Sequence, residues 1–212
     1  KGQPTYNVQG ADERSFTTDF LASKTIEFIR VHKDRPFCYM VSFPDPHGPN
    51  SVRPPYDTMF DHLKFQMPAS GRSAGEGLPA WAKPPAGASM ENMSKYFGMV
   101  KCIDDNVGRI LAALRESGLV DRTIIVFFSD NGGVHWAGME RHGSTPHIAY
   151  QDIPITSNAP LRGGKATLYE GGTREPCLVV WPGKVNPASR SKVLFSSVDF
   201  YPTLLDMLGL QP

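Results

Sequence analysis

An unbroken apolar run covers residues 124–128, and most of its side chains are β-branched or aromatic. That pattern predicts a strand buried on both faces, as in a parallel sheet covered by helices. Apolar residues also dominate 37–43 and 178–183, where Pro182 and Gly183 end the run. These two stretches predict a second buried strand and a further short one.

A helical period runs through residues 90–117, where apolar side chains return at every third or fourth position. Such a stripe predicts a long helix with one face packed on the core. Ser89 is a candidate N-terminal cap for this helix. Gly118 is the candidate residue at its other end, because glycine readily takes the left-handed conformation that closes a helix.

Two further helices flank the predicted strands. Apolar spacing predicts one over residues 18–31, capped by Thr17 or Thr18, and another over about 198–208 that follows Ser196. The elements therefore run helix, strand, helix, strand, strand, helix. This order indicates an α/β fold with a mostly parallel sheet flanked by helices.

Polar residues stand where two of the predicted strands end. Asp130 and Asn131 close one strand, and His47 lies among prolines in the turn after 37–43. The carboxyl ends of strands in open α/β sheets are where ligands bind. The hard oxygens of Asp130 and Asn131 suit Ca²⁺ or Mg²⁺, although an Asx turn that closes a strand explains the same residues without a ligand. For His47 the alternative is an ordinary surface side chain.

Lys165 lies in a glycine-rich stretch, directly after Gly163-Gly164. Because glycines allow close approach of the backbone, this lysine can meet an anion as a point charge. Residues 50–88 are expected to form a long surface loop, either near a substrate entrance or disordered. A second long loop, 132–158, holds His135, which is the histidine there expected to face a site because it is nearest Asn131.

Composition narrows the classes of function. The 22 basic and 21 acidic residues give a net charge of +1, which does not indicate binding to nucleic acid or to an anionic membrane surface. No apolar run approaches the length of a membrane span. Cys38, Cys102 and Cys177 have no metal or redox spacing, and they are expected to be small buried hydrophobic residues.

Four segments, taken in order, resemble the formylglycine-dependent sulfatases of the alkaline phosphatase-like superfamily. They are the turn at 43–49, the helix-to-strand join over 105–132, the segment 159–174 that begins Ala-Pro-Leu-Arg-Gly-Gly-Lys, and the closing stretch 199–205. The resemblance implies an incomplete sulfatase-like fold. In it, residues 1–212 form a partial catalytic domain, without the upstream nucleophile segment and the C-terminal subdomain.

By this resemblance, Asp130 and Asn131 supply part of a Ca²⁺ site, and His47 and Lys165 contact the sulfate group and the leaving oxygen. Cleavage of a sulfate ester builds negative charge on the bridging oxygen. A metal ion and a lysine stabilise that charge, and a histidine can deliver the proton. The implied activity is hydrolysis of a sulfuric ester, and the implied substrate is a sulfated small molecule or carbohydrate. The implied location is periplasmic, secreted or lysosomal.

The sequence departs from the family at the nucleophile. No Cys or Ser stands in the pattern Cys/Ser-x-Pro/Ala-x-Arg, from which the family makes formylglycine. The chain alone is therefore expected to lack formylglycine-type turnover. The family's paired aspartates and the first strand that carries them are absent as well, so the chain is expected to bind Ca²⁺ weakly or not at all and to self-associate through an exposed sheet edge. Two alternatives stay open: a phosphate or phosphonate ester hydrolase of the same superfamily, and a non-catalytic pseudoenzyme or structural fragment.

Overall fold

A computed structural model describes residues 12–48, 50–66, 93–133, 156–165 and 167–210. It confirms the three predicted helices and two of the three predicted strands, within a few residues at each end. The elements in chain order are α1 (Thr17–His32), α2 (Met93–Glu116), a 3₁₀ turn (Val120–Arg122), β1 (Ile125–Phe128), α3 (Glu170–Thr173), β2 (Cys177–Val180), another 3₁₀ turn (Ser197–Asp199) and α4 (Phe200–Met207).

Two predicted helix ends are confirmed. Gly118 follows α2 with a φ of 66°, the left-handed conformation in which glycine closes a helix without steric cost. Ser196 forms a capping box with Asp199 ahead of the 3₁₀ turn that leads into α4. The predicted cap at Ser89 lies outside the described residues.

The predicted threonine cap of α1 is wrong. The residue that flanks the helix is Phe16, and no side chain caps the first turn. The hydroxyl of Thr18 donates instead to the carboxylate of Asp45, on a distant turn. The Thr18 side chain therefore makes a tertiary contact instead of capping the first turn of α1.

The core of the described residues lies between α1 and α2. Two buried clusters fill it, made of Phe16, Val52, Tyr56, Met99 and Cys102 at one end and of Ile29, Leu114 and Leu119 at the other. Val52 and Tyr56 belong to the stretch 50–88 that was expected to be a surface loop. That expectation is wrong for the beginning of the stretch, where Val52 and Tyr56 are buried and pack onto α2. Residues 57–66 form no helix or strand and none of them is buried, as expected of a surface loop. Residues 67–88 lie outside the described part.

Close packing of this segment depends on a glycine of α2. A Cβ at Gly98 would lie 2.2 Å from the carbonyl oxygen of Tyr56, whereas a Cβ at Gly108 would meet nothing within 4 Å. We expect Gly98→Ala to destabilise the chain by about 1–3 kcal/mol, because backbone must move to admit the methyl group. The matched Gly108→Ala should stabilise it by about 0.5–1 kcal/mol through helix propensity. Urea denaturation measures both, and equal effects of the two substitutions would contradict this packing.

β1 and β2 pair antiparallel, with Phe128 opposite Cys177. The chain leaves β1 and enters β2 at the same end, where the Ser129 N–H donates to the Pro176 oxygen at 3.3 Å. Strands that return in this way pair antiparallel, since a parallel pair needs a crossover to the opposite end. The predicted mostly parallel sheet is therefore wrong for this pair, although helices and a sheet in one chain fit the α/β class.

Two further strand predictions need correction. Residues 37–43 form no strand in the structure, because a strand exists only where a neighbouring backbone pairs with it, and none of the described segments does so. β1 is not buried on both faces either: Phe127 and Phe128 are each 47% exposed. On the face that carries Phe128, α4 gives only partial cover: the centre of the Phe200 ring lies 4.9 Å from the centre of the Phe128 ring.

Other surface expectations have mixed outcomes. Cys102 is buried as predicted, but Cys38 and Cys177 are exposed, because the backbone segments that carry them lie outside the two clusters. Exposed apolar side chains on both strands leave self-association as a prediction. In the described part of the chain, no helix has both the length and the apolar character needed to cross a membrane.

Candidate active site

The turn after β1 packs against the glycine-rich segment that carries Lys165. The Lys165 N–H donates to the Gly133 oxygen at 3.1 Å, and the Gly132 N–H points at the Gly172 oxygen at 3.4 Å. Asn158 brackets Gly133, accepting from its N–H and donating to its oxygen, both at 3.0 Å. The candidate anion-binding lysine and the candidate metal-binding turn are thus held together by backbone hydrogen bonds.

Glycine makes this approach possible. A Cβ on Gly132 would lie 1.8 Å from the Gly171 oxygen, and a Cβ on Gly171 would lie 2.2 Å from the Gly163 oxygen. Gly163 itself has a φ of 78°, which favours glycine for a second reason. The glycines in the sequence therefore indicate a place where two backbone segments pack closely, next to Lys165.

The Lys165 segment is stabilised from within. The Arg162 guanidinium lies 3.9 Å from the centre of the Tyr169 ring, a cation–π contact of the kind that arginine makes readily. Thr167 donates from its hydroxyl to the Gly164 oxygen at 2.8 Å. Lys165 is half-buried in this turn.

Asp130 and Asn131 follow β1 as predicted. Asp130 is exposed, and Asn131 is half-buried with its Nδ2 donating to the Gly132 oxygen at 3.2 Å. That hydrogen bond leaves the carbonyl oxygen of the Asn131 side chain as the atom a metal would use. Both residues therefore offer the hard oxygens that Ca²⁺ prefers.

A second carboxylate, that of Glu175, lies close enough to this turn to be affected by the charge of Asp130. Burial first, and then the charge of Asp130, raise the pKa of Glu175. The Glu175 Oε1 is buried without a hydrogen-bond partner. A cation bound beside Asp130 would stabilise the ionised carboxylates of both Asp130 and Glu175. Among the described residues, no group of three or more His, Cys, Asp or Glu side chains is placed to hold a metal. The donors thus fit Ca²⁺ chemistry as part of a site.

His47 lies on an exposed turn that follows the 37–43 segment in sequence. Its backbone N–H donates to the Pro44 oxygen at 3.0 Å, and its ring Nδ1 lies 2.7 Å from the Gly48 oxygen. Because a carbonyl oxygen only accepts, the Nδ1 carries the proton in this contact. The Nε2 is then the nitrogen free to exchange a proton with a ligand. Convergence of His47 with Asp130 and Lys165 stays a prediction, and His135 lies outside the described residues.

Sequence reasoning missed a buried polar network between the helices. Asp19 is 1% exposed and accepts from Arg53 through both carboxylate oxygens, at 2.7 and 2.8 Å. Asn106 donates to the same carboxylate at 3.1 Å, and the Cys102 thiol lies 3.7 Å away. A signal existed: Asp19 stands on the apolar stripe of α1, three residues before the buried Ala22.

The groups in this network shift one another's pKa values. Burial alone would raise the pKa of Asp19, but hydrogen bonds from Arg53 and Asn106 and the charges of Arg53 and Arg109 hold it below its ordinary value. Burial, then the Asp19 charge, raises the pKa of the Cys102 thiol to about 12. Cys102 is accordingly an unreactive core thiol.

Comparison with known proteins gives this geometry a family. The Sulfatase family profile matches residues 2–210. Rat steryl-sulfatase is 30% identical over 210 residues, which cover 98% of this chain and 29% of that protein. The uncharacterized sulfatase YdeN of Escherichia coli K12 is 29% identical over 202 residues, 94% of this chain and 29% of that protein.

A solved structure supports the same fold. BT4656, in complex with its substrate D-glucosamine-2-N,6-O-disulfate, superposes with a TM-score of 0.69 at 20% identity, over 93% of this chain and 49% of that one. The chain thus spans less than a third of each of the two curated relatives named above. With a family match along nearly its whole length, the chain belongs to the sulfatase family.

Proposed function

We propose that this chain forms part of the active site of a sulfuric ester hydrolase. The observation that carries the proposal is the hydrogen-bonded contact between the Asp130–Gly133 turn and the Lys165 segment, within a chain that matches the Sulfatase family over residues 2–210. That contact joins an oxygen-donor turn to the backbone of the segment that carries the Lys165 side chain. A sulfate ester needs both, since it is an anion whose cleavage creates further negative charge.

The proposed roles follow from the chemistry of each side chain. Asp130 and Asn131 hold Ca²⁺ together with ligands from outside the described residues, and the bound ion would supply electrostatic stabilisation of the sulfate oxygens. Lys165 binds a sulfate oxygen as a point charge. His47 contacts the leaving oxygen through Nε2, while the Nδ1–H stays on the Gly48 oxygen. Nε2 first takes up a proton from solvent, which makes the ring an imidazolium, and then delivers that proton to the leaving oxygen.

The nucleophile is proposed to come from outside these residues. None of the 212 residues stands in a formylglycine-forming pattern, so the chain is proposed to be the later portion of a catalytic domain. An upstream segment would carry the formylglycine and the remaining Ca²⁺ ligands. Division of a site between separate segments of sequence is normal in enzymes of this class, because the sheet edge gathers residues from several strand ends.

The proposed substrate is a sulfated carbohydrate or a sulfated small molecule. The disulfated glucosamine bound by BT4656 supports the carbohydrate, and the name of steryl-sulfatase supports a smaller apolar alcohol. Nucleic acid is not proposed as a partner, since the net charge is only +1. A periplasmic, secreted or lysosomal location is proposed from the family.

The test is an assay of the complete reading frame that contains this chain, with 4-nitrophenyl sulfate and 4-nitrophenyl phosphate. We expect hydrolysis of the sulfate ester, and we expect Lys165→Ala to lower kcat/KM by about 10²–10³, the size of losing one stabilising group at a developing charge. Lys184→Ala is the matched control, since Lys184 is exposed on the turn after β2, and it should change nothing.

Two outcomes would overturn the proposal. Preferential cleavage of the phosphate ester would favour the other hydrolase class of the superfamily, and absence of any turnover would favour a non-catalytic protein. The 212-residue chain is expected to be inactive in the same assay, because it encodes no residue that becomes the covalent nucleophile. Turnover by that chain alone would show that a different nucleophile operates.

A further inference from the structure

Two adjacent residues in the first turn of α1 hold the segment that carries His47 at both of its ends. Thr18 donates its hydroxyl to Asp45, two residues before His47. Asp19 accepts both hydrogen bonds from Arg53, six residues after it. The helix thereby contacts the chain on each side of the histidine turn.

The anchor residues are more buried than the histidine between them, which is exposed. Thr18 is 0% exposed, Asp19 1% and Arg53 6%, and Asp45 is half-buried. Burial, and then the nearby Asp19 charge, raise the pKa of Asp45, while its hydrogen bond from Thr18 acts in the opposite direction. The hydrogen bond from the Thr18 hydroxyl therefore stabilises the ionised form of the Asp45 carboxylate against the effect of burial.

We propose that Thr18 and Asp45 are positioning residues that hold the His47 ring with its Nδ1 on the Gly48 oxygen and its Nε2 directed outward. The proposal rests on the proposed function for the role of Nε2. The turn alone supplies few restraints, since its only other described hydrogen bond is from the His47 N–H to the Pro44 oxygen at 3.0 Å. Without the Asp45 anchor, the turn and its imidazole would sample other orientations.

The experiment reads the tautomer of His47 directly, by ¹⁵N NMR of the imidazole rings in the 212-residue chain. His47→Gln assigns the signal among the six histidines. In the unsubstituted chain, the ring should be protonated on Nδ1. Thr18→Val, which removes the hydroxyl and keeps the shape, should move the ring toward the Nε2-protonated form that free histidine prefers, and Thr18→Ser should restore it.

Thr25→Val is the matched control. Thr25 is also buried in α1, at 3% exposure, but its hydroxyl donates to the Leu21 oxygen within the helix at 2.8 Å. This substitution should leave the His47 tautomer unchanged. Asp45→Ala gives an independent loop variant if Thr18→Val fails to fold, and it should also release the ring. Asp45→Asn keeps an oxygen acceptor and should retain the Nδ1-protonated form.

In the complete reading frame, Thr18→Val should lower kcat for 4-nitrophenyl sulfate about tenfold with little change in KM, as expected for a displaced catalytic group. A His47 tautomer that is unchanged in both Thr18→Val and Asp45→Ala would overturn the positioning role, even where the enzyme is active. Absence of sulfate ester hydrolysis with a changed tautomer would instead overturn the proposed function and leave the positioning of the ring established.

Discussion

Asp19→Ala is expected to destabilise the chain by about 3–5 kcal/mol, the cost of removing one partner from a buried ion pair. Arg53 would be left 6% exposed with no carboxylate on its guanidinium Nε. Asn106 would also lose its acceptor at 3.1 Å. Chemical denaturation followed by circular dichroism measures the change in the free energy of unfolding.

Two comparisons make this prediction specific. Asp104→Ala removes a carboxylate from an exposed pair on α2, 3.6 Å from Lys101, and should cost less than about 1 kcal/mol. The double replacement Asp19→Leu with Arg53→Met removes both charges together and should recover most of the loss, because an apolar pair needs no compensation. A loss below about 1 kcal/mol for Asp19→Ala alone would mean that the pair does not hold the helices.

The same carboxylate predicts an acid limit to stability. Its pKa lies below the ordinary value of 3.8, since Arg53, Asn106 and Arg109 outweigh the effect of burial. An acid whose pKa is lower in the folded state contributes its full stabilisation above the unfolded pKa and loses it as the pH falls through the folded one. Stability should therefore decrease below about pH 4, and Asp19→Asn should show a shallower decrease over that range.

This network marks where prediction from sequence fails. Asp19 and Arg53 are 34 residues apart, and Arg53 lies in a stretch with no periodic pattern that would place it in a core. A local pattern predicts α2 well, because its apolar stripe repeats within one element and needs no knowledge of the rest of the chain. Contacts between two elements are not encoded by a repeat within either element, so a local sequence pattern does not predict them.

The strands show the same limit. The apolar run 124–128 correctly predicts β1, but its direction relative to β2 depends on the course of the segment between them, which the sequence does not reveal. The run 37–43 also contains several residues that favour strands and still forms no strand here, because strand formation depends on a partner backbone. Propensity predicts which residues can pair and leaves open what they pair with.

The candidate site was predictable to a different extent at each residue. Asp130 and Asn131 follow β1, as the apolar run predicts. The glycines around Lys165 indicate a close approach of two backbone segments. The hydrogen bond between that lysine segment and Gly133 was not predicted, because no spacing rule connects the two segments. His47 could be placed on a rigid turn from its prolines, whereas its anchor on α1 became visible only with the Thr18–Asp45 hydrogen bond.

Gly132→Ala is expected to separate the two halves of the candidate site. The new methyl group would lie 1.8 Å from the Gly171 oxygen and 3.1 Å from the Gly172 Cα. Backbone cannot move as cheaply as a flexible side chain, so the Lys165 segment must shift away from the turn after β1. We expect a loss of about 3 kcal/mol, the upper part of the usual range for overpacking.

Hydrogen exchange locates the effect. The Lys165 amide donates to the Gly133 oxygen at 3.1 Å, so its protection reports the contact itself. Gly132→Ala should abolish that protection and leave the amides of α2 protected to the extent that global stability allows. The same change at Gly108, where a Cβ meets nothing within 4 Å, should leave the Lys165 amide as it was. A protected Lys165 amide in Gly132→Ala would mean that the candidate metal-binding turn and the lysine segment stay together without the close approach that Gly132 allows.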